Sequence, residues 1–238
     1  LNALVVDDRK AALNRARAWA AQALGVRCGI VIDIDRGMDA AKSPLVADWA
    51  IAAAGDGVVA LGLGGDEYGN PPEKHQAAFA HAHAAGLPCV PHAGETGGAD
   101  SIWGALRALG AVRIGHGVRC LDDPALVDEL RARQTPLEVC PISNVCLGVA
   151  PSLAEHPLPR LLAAGLYVTL NSDDPPMFNT SLTNEYAQAA ATFGLGADDL
   201  ERLALNAARA ALLPPAERAA LENELSANFK RLRAQHLA

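Results

Sequence analysis

Seven histidines lie in this chain, and their spacing separates those that could bind a metal from those that could not. The segment HAHAAGLPCVPHAGE (81–95) holds three of them. His81 and His83 belong to a segment whose pattern predicts a helix from Pro72 to Gly86. Residues two apart on a helix point about 200° away from each other, so one ion cannot bind both. We therefore interpret this pair as surface histidines.

The other histidines differ in their position within the predicted elements. His75 shares the predicted helix and His236 lies near the carboxyl terminus, so both are expected at the surface. His156 precedes a proline at a helix start, where a capping or loop role is expected. His92 and His116, in contrast, each close a short apolar strand. These two are the candidates for chemistry.

Carboxylates accompany the two candidate histidines. Glu95 follows His92 across a sharp Ala-Gly turn, and Asp173 and Asp174 follow the last predicted strand. Adjacent aspartates after an apolar strand are costly to bury without a cation or a hydrogen-bond donor. Capping the helix that starts at the next prolines would need only one of them. Two histidines and an aspartate beside a glutamate therefore suit an open zinc site that leaves room for water.

A repeating unit positions these residues. From about residue 45 the sequence repeats an amphipathic helix, a glycine, a short apolar strand and a polar cluster. The landmarks His92, His116, Cys140 and Asn171 follow one another at intervals of 24, 24 and 31 residues. Such alternation indicates buried parallel strands joined by right-handed crossovers. The carboxyl ends of these strands gather at one face, so we expect the polar residues there to converge.

Two earlier strands, in RCGIVIDID and GVVALGLGG, bring the predicted number to six. We therefore predict an α/β fold of the (β/α)8 TIM-barrel type that lacks the first one or two strands. Extra carboxyl-terminal helices are expected over 187–193, 198–213 and 215–232, followed by a frayed tail over 233–238. Without linkers or low-complexity tracts, residues 1–238 are expected to form a single, partial barrel domain.

Composition restricts the partners. The net charge is −7 and no block of lysine or arginine occurs, so neither nucleic acid nor an anionic membrane surface is expected to bind. No apolar run approaches the ~20 residues needed to cross a bilayer, and no secretory signal is visible. The five scattered cysteines favour a cytoplasmic location. Of these, Cys140 and Cys146 are expected to pack rather than bind metal.

The sequence does not match the motifs of three other classes of protein. In GLGGDE, Glu67 stands where a dinucleotide-binding loop has its third glycine. Zinc deaminases of the cytidine type carry Pro-Cys-x-x-Cys, whereas here Pro88-Cys89 is followed by Val-Pro-His. Phosphate-handling barrels have a glycine-rich anion loop late in the barrel, where this chain has carboxylates that would repel phosphate.

Five motifs occur in a characteristic order: GLGGDE (62–67), HAGET (92–96), RIGHG (113–117), EVCPISN (138–144) and NSDDP (171–175). Together they resemble the adenosine deaminase family of the amidohydrolase superfamily, over about residues 58–186. The resemblance implies a metal-dependent hydrolase with one zinc ion per chain. Its members hydrolyse the exocyclic amine of a 6-aminopurine and release the 6-oxo base and ammonia.

The resemblance also implies catalytic roles. His92 and Asp173 would be zinc ligands, and Glu95, His116 and Asp173 would be the catalytic residues. Glu95 would protonate the purine ring nitrogen next to the attacked carbon, and His116 would hold the attacking hydroxide. A carboxyl half-buried beside apolar strands should have a raised pKa, which suits Glu95 to donate a proton near neutral pH.

Substrate contacts follow from the same motifs. Asp174 would hydrogen-bond the imidazole edge of the purine, and the backbone N–H of Gly65 its far ring nitrogen. The run NSDDPPMFNTSLTNEY (171–186) resembles the branch that acts on aminodeoxyfutalosine more than the branch with NTDDP that acts on adenosine. Adenine-specific relatives tend to have an aromatic after NSDDPA, which this chain lacks. We expect adenosine or an aminodeoxyfutalosine-like nucleoside as substrate, with adenine as the alternative.

One family feature is missing. The first strand of the family carries His-x-His, two further zinc ligands, and no predicted strand here contains it. Asp33 and Asp35 alternate on an early strand and would be the substitute ligand pair. That strand lies at the wrong position for this role, so we expect rim or salt-bridged aspartates. The chain starts with Leu1 in a predicted helix, and our hypothesis is that this sequence is a partial record of a longer enzyme. A catalytically inactive purine-binding barrel is the alternative.

Overall fold

The computed structural model describes residues 3–237, with side chains from residue 9 onward. Its strands and helices alternate along the chain. The six strands are β1 (Ile30–Asp35), β2 (Val58–Gly64), β3 (His92–Ala93), β4 (Ile114–His116), β5 (Leu137–Val139) and β6 (Val168–Leu170). The prediction of six strands is therefore confirmed for the described part of the chain.

Eleven α-helices lie within residues 3–237. They are α1 (Ala3–Leu24), α2 (Ser43–Ala52), α3 (Gln76–Ala84), α4 (Ala99–Arg107), α5 (Pro124–Arg133), α6 (Pro141–Cys146), α7 (Leu158–Ala163), α8 (Pro175–Phe178), α9 (Leu182–Phe193), α10 (Ala197–Ala210) and α11 (Pro215–His236). Over these residues, no helix combines the length and the apolar character that crossing a membrane requires.

All strand pairs are parallel. β1 pairs with β2, and β3, β4, β5 and β6 pair in chain order. The two groups are joined where Leu61 of β2 bridges to Cys89: its N–H donates to the carbonyl of Pro88, and its own carbonyl accepts from Val90. The carboxyl ends of the strands consequently lie along one edge of the sheet, as the repeating unit predicted.

Two hydrophobic cores support this sheet. One packs Ile34 and Leu63 of β1 and β2 against α2 and α3. The other surrounds β3 to β6 and includes Leu126 of α5 and Leu161 of α7. Since both cores lie between strands and helices, they hold the strand ends in fixed relative positions.

Four predicted helix boundaries are wrong. Helix α9 begins at Leu182 instead of 187, and α10 ends at Ala210 instead of 213. The segment from Pro72 starts with a 3-10 helix (Pro72–His75), and α3 begins only at Gln76. At the carboxyl end, α11 continues to His236, so the tail over 233–236 is helical and not frayed. Arg233 accounts for this, because its guanidinium pairs with Asp198 and Glu201 of α10. Ala238 lies outside the described residues.

Candidate active site

Residues far apart in the sequence meet at the carboxyl ends of β3, β4 and β6. His116 Nε2 lies 3.5 Å from Glu95 Oε1 and 3.9 Å from Asp173 Oδ2. The rings of His92 and His116 are 5.3 Å apart between centroids. His92, His116 and Asp173 also line one cavity of about 400 Å³. The predicted convergence of these four side chains is therefore observed.

The orientation of His92 leaves one ring nitrogen available. Its Nδ1 lies 3.0 Å from the carbonyl oxygen of Leu63, which can only accept, so Nδ1–H donates. The lone pair of neutral His92 then lies on Nε2, as in metal-binding histidines. The ring packs against Gly115 of β4, where a Cβ would lie 2.9 Å from ring atoms. This close approach is the physical reason for glycine in RIGHG.

Two site residues have left-handed backbones. The φ angle is +61° at His116 and +54° at Asp173, and neither residue is glycine. Such a conformation is unfavourable by roughly 1–2 kcal/mol per residue, so the surrounding structure must maintain it. Backbone strain of this kind is concentrated at functional sites. The strain falls on two of the predicted catalytic residues.

Burial controls the charges of the site. It lowers the pKa of His116 to about 4, and the neighbouring His92 adds to this effect. The pKa of Glu95 is raised, mainly by burial, with nearby Asp173 and Glu67 adding to the shift and His92 opposing it. The expected direction for Glu95 is thus confirmed. Glu95 Oε1 is buried without a hydrogen-bond partner among the described residues, which leaves it free for a proton or a ligand.

Glu67 holds the loop that carries Glu95. Its carboxylate accepts from the backbone N–H groups of Gly94 (2.9 Å), Glu95 (2.8 Å) and Thr96 (3.0 Å), and from the hydroxyl of Ser101. Burial raises the pKa of Glu67, but these hydrogen bonds outweigh it and the net pKa is lowered. No structural role was predicted for Glu67, although it lies in the GLGGDE motif.

Arg36 completes this support. Its guanidinium is fully buried and lies 3.8 Å from the carboxylate of Glu67. It also donates to the backbone carbonyls of His92 and Asn70. The carbonyl of Arg36 itself is hydrogen-bonded to His75 Nε2, at 3.1 Å. A buried ion pair therefore connects β1 and β2 to the loop after β3.

The environment of His75 corrects one prediction. We expected a surface residue, but His75 is only 1 % exposed. The reason is the 3-10 helix, in which side chains do not follow the α-helical spacing used for the prediction. His81 and His83 lie in α3 and are exposed, as predicted, and His81 contacts Asp48 at 2.8 Å. His236 is exposed as well.

The segment after β5 contributes residues for which no role was predicted. The hydroxyl of Ser143 donates to Asp173 Oδ2 at 2.7 Å. The side chain of Asn144 contacts His116 Nδ1 at 3.3 Å and His156 Nε2 at 3.0 Å. His156 precedes the N-cap of α7 and accepts from the N–H of Leu158, which agrees with the expected capping or loop role, yet its ring is buried and reaches towards Asn144. The available signal was that Ser143 and Asn144 belong to the polar cluster that follows a predicted strand.

The donor set fits a divalent cation. Ligand atoms of His116, Cys140 and Asp173 lie within 4.8 Å of one another, and His92 lines the same cavity. Burial, with Asp173 and Glu138 nearby, raises the pKa of Cys140, which disfavours the thiolate needed for metal binding. Cys140 is buried, as expected of a packing residue, but Cys146 is exposed, so that prediction is wrong for Cys146.

The predicted substrate residues lie at the same edge of the sheet. Gly65 directly follows β2 and has a φ of +100°, a conformation that favours glycine. Asp174 precedes α8, is exposed and makes no side-chain cap. On β1, the Asp35 side chain accepts from the Gly37 N–H at the sheet rim. Asp33 lies on the same side of β2 as the ring of His92.

The structure favours one of the two alternatives expected for the aspartates of β1. Asp35 lies at the rim, and neither Asp33 nor Asp35 forms an ion pair with a described side chain. No strand within residues 3–237 carries His-x-His, in agreement with the sequence analysis.

Comparison with known proteins identifies the relatives of this chain. The sequence model of the adenosine deaminase family matches residues 2–228. The aminodeoxyfutalosine deaminase of Streptomyces avermitilis is 46 % identical over 170 residues, covering 71 % of this chain and 48 % of the relative. The adenine deaminase of Trichlorobacter lovleyi is 42 % identical over 219 residues, covering 92 % and 62 %. The chain thus spans less than two thirds of these relatives.

Solved structures give the same result. The adenine deaminase of Arthrobacter aurescens superimposes with a TM-score of 0.86 at 36 % identity, covering 91 % of this chain and 66 % of that structure. An amidohydrolase from Burkholderia ambifaria, solved with bound Zn, gives 0.90 at 26 % identity, covering 96 % and 64 %. The predicted TIM-barrel fold class is confirmed. The chain belongs to the adenosine deaminase family, within the amidohydrolase superfamily.

Proposed function

We propose that the protein carrying this chain is a zinc-dependent hydrolase that deaminates a 6-aminopurine nucleoside, adenosine or an aminodeoxyfutalosine-like compound. The products would be the 6-oxo purine and ammonia. One observation carries the proposal: His116 Nε2 lies 3.5 Å from Glu95 and 3.9 Å from Asp173. Hydrolysis of an aromatic amine needs a proton shuttle and a donor for developing negative charge, and this cluster offers both.

His92 and Asp173 would hold one zinc ion per chain. The contact between His92 Nδ1 and the carbonyl of Leu63 leaves Nε2 as the ligand atom, and the bond from Ser143 orients the carboxylate of Asp173. When bound, zinc makes water acidic enough to act as a nucleophile near neutral pH. The fit rests on the donor set and on the unpartnered oxygen of Glu95 beside it.

Glu95 would move the proton. It would accept one proton of the attacking water and deliver it to the ring nitrogen next to the attacked carbon. The second proton of that water would leave with the amine as ammonia. The raised pKa of Glu95 supports this role, because a group that both accepts and donates works best near the ambient pH. His116 would stabilise the developing charge on the attacking oxygen.

Gly65 and Asp174 would bind the purine. The positive φ of Gly65 brings backbone close to the rim without a side chain in the way, and the exposed Asp174 carboxylate can accept from an imidazole N–H. The cavity of about 400 Å³ is within the range of small-ligand sites. The acidic chain favours a neutral small-molecule substrate over nucleic acid.

Adenine is the second candidate substrate. The adenine deaminase relative covers 92 % of this chain, more than the 71 % covered by the aminodeoxyfutalosine deaminase relative. A purine-binding barrel without turnover is the third candidate. It would keep Gly65, Glu95 and Asp174 but hold no stoichiometric metal.

A side-by-side assay separates these candidates. The full-length, zinc-loaded protein would be given adenosine, adenine and aminodeoxyfutalosine, with ultraviolet absorbance and ammonia release followed and metal content measured. The proposal expects about one zinc per chain and the highest kcat/KM on a nucleoside. A higher kcat/KM on adenine would favour the second candidate. Purine binding without ammonia from any of the three would contradict the enzymatic proposal.

A further inference from the structure

A chain of buried hydrogen bonds connects the start of α7 to His116. The backbone N–H of Leu158 donates to His156 Nδ1 at 3.1 Å. His156 Nε2 lies 3.0 Å from Asn144 Oδ1, and Asn144 Nδ2 lies 3.3 Å from His116 Nδ1. The remaining ring nitrogen, His116 Nε2, faces Glu95 and Asp173.

The direction of every bond in this chain follows from its first member. A backbone N–H can only donate, so His156 Nδ1 must accept and carries no proton. The proton of neutral His156 then lies on Nε2, and its partner on Asn144 must be the carbonyl oxygen. The amide nitrogen of Asn144 consequently donates to His116 Nδ1. This leaves the proton of neutral His116 on Nε2.

The surroundings prevent the chain from reversing. Asn144 is fully buried and His156 is 3 % exposed, so solvent cannot replace a lost partner. The backbone carbonyl of Asn144 accepts from Val149 and Ala150, which fixes the position of the residue. A flipped amide would point its NH2 at the N–H of His156, and an Nδ1–H on His116 would point at the NH2 of Asn144. Both arrangements place two donors face to face.

We propose that His156 and Asn144 are positioning residues that hold neutral His116 with its proton on Nε2. His116 is then a hydrogen-bond donor towards the reacting oxygen and is not the base that removes a proton from water. This division leaves proton transfer to Glu95. The catalytic consequence rests on the proposed deaminase function, whereas the protonation pattern of the ring does not.

Burial supports the proposal independently. It lowers the pKa of His156 to about 4, so the ring is neutral at physiological pH. Only the neutral form can accept at one nitrogen and donate at the other, as the chain requires.

Nitrogen-15 NMR of histidine-labelled protein tests the assignment directly, because ring nitrogens with and without a proton have distinct shifts. The full-length protein would be measured with zinc bound, and the His116→Gln variant would assign the signals. We expect His116 to be protonated on Nε2 only. In Asn144→Asp the new carboxylate accepts from both rings, so His116 Nδ1 should gain a proton.

Kinetics of two variants at position 156 provide the second readout. His156→Phe keeps a ring but removes the donor to Asn144, and we expect kcat to fall about 10- to 100-fold with little change in KM. His156→Gln retains an amide donor near the place of Nε2 and should recover most of the rate. Rescue of kcat by glutamine separates positioning from simple packing.

Two results would overturn the inference: a proton on His116 Nδ1 in the wild-type protein, or an unprotonated Nδ1 in Asn144→Asp. Equal kcat values for wild-type and His156→Phe would do the same. If the protein releases no ammonia yet His116 shows the expected protonation, the deaminase proposal fails and the positioning role stands. If the protein releases ammonia but His116 carries its proton on Nδ1, the positioning role fails and the deaminase proposal stands.

Discussion

The first strand of the structure ends in an aspartate and the last is followed by two, but only the second of these regions is organised for chemistry. In β1 the exposed face carries Val31, Asp33 and Asp35, and the one described donor to the Asp35 carboxylate is the N–H of Gly37. After β6, which is buried throughout, Asp173 has a left-handed backbone and accepts from Ser143. It also lies 3.9 Å from His116.

A carboxylate near a strand end is therefore not sufficient for a site. β6 lies beside β5, whose following segment supplies Ser143, and two strands away from β4, which supplies His116. Among the described residues β1 pairs only with β2, so its aspartates have fewer partners. A site requires neighbouring strands that each add a group directed at the same point.

Replacing an aspartate at each strand end gives the largest contrast. Asp173→Ala should lose bound zinc and activity together, because it removes a ligand and an acceptor at once. Asp35→Ala should retain metal and most activity. Metal analysis and ammonia release would measure both variants. Zinc retained in Asp173→Ala would contradict the ligand assignment, and zinc lost from Asp35→Ala would remove the contrast between β1 and β6.

Glu67 tests the connection between the two regions, because it follows β2 but holds the loop after β3. Glu67→Ala leaves Arg36 as an unpaired buried charge and should lower the free energy of unfolding by about 3–5 kcal/mol. The control is Glu129→Ala, which breaks a surface ion pair with Arg133. This variant should change the free energy of unfolding by less than about 1 kcal/mol. Urea unfolding would measure both. Equal effects would show that the buried pair does not support the loop.

Glu95 sharpens the assignment of roles within the β3–β6 region. Glu95→Gln keeps the shape but cannot shuttle a proton, so kcat should fall at least about a hundredfold while zinc stays bound. Glu224→Gln on the exposed side of α11 is the matched control and should leave kcat unchanged. Steady-state kinetics with metal analysis would test this. Loss of zinc from Glu95→Gln would instead make Glu95 a ligand.

The smallest expected effect concerns pH. Burial lowers the pKa of His156 from 6.5 to about 4, so below pH 6.5 the unfolded chain binds a proton that the native ring does not. Stability should therefore fall as the pH is lowered from 6.5 towards 4.

His156→Gln should reduce the slope of the free energy of unfolding against pH by at most about 1.4 kcal/mol per pH unit. Urea unfolding of chelator-treated protein at several pH values would measure it. His83→Gln, at an exposed position on α3, should keep the wild-type slope. An unchanged slope in His156→Gln would mean that the ring is protonated in the native state.

Individual residues show how far prediction from sequence reached. The meeting of His92, His116 and Asp173 was predicted because parallel strands place their carboxyl ends at one edge. The dismissal of His81 and His83 was correct because helical geometry is local. The prediction for His75 failed because the first turn of its segment is a 3-10 helix.

Other failures involved contacts between distant segments. The bond from Ser143 to Asp173 joins residues 30 apart, and that from Asn144 to His116 joins residues 28 apart. Neither contact can be predicted from a pattern in the local sequence. The end of α11 depended in the same way on Arg233, whose partners lie on α10.

The order of strands and helices, the edge at which the reactive side chains meet and the family of the chain could all be predicted from the sequence. They follow from residue spacing and from motifs that are continuous in the chain. Three features required the folded structure: which ring nitrogen of His116 faces Glu95, how Glu67 holds the loop after β3 and that His156 is buried. Hydrogen-bond directions depend on side-chain positions within a few tenths of an ångström, and packing between distant segments sets those positions.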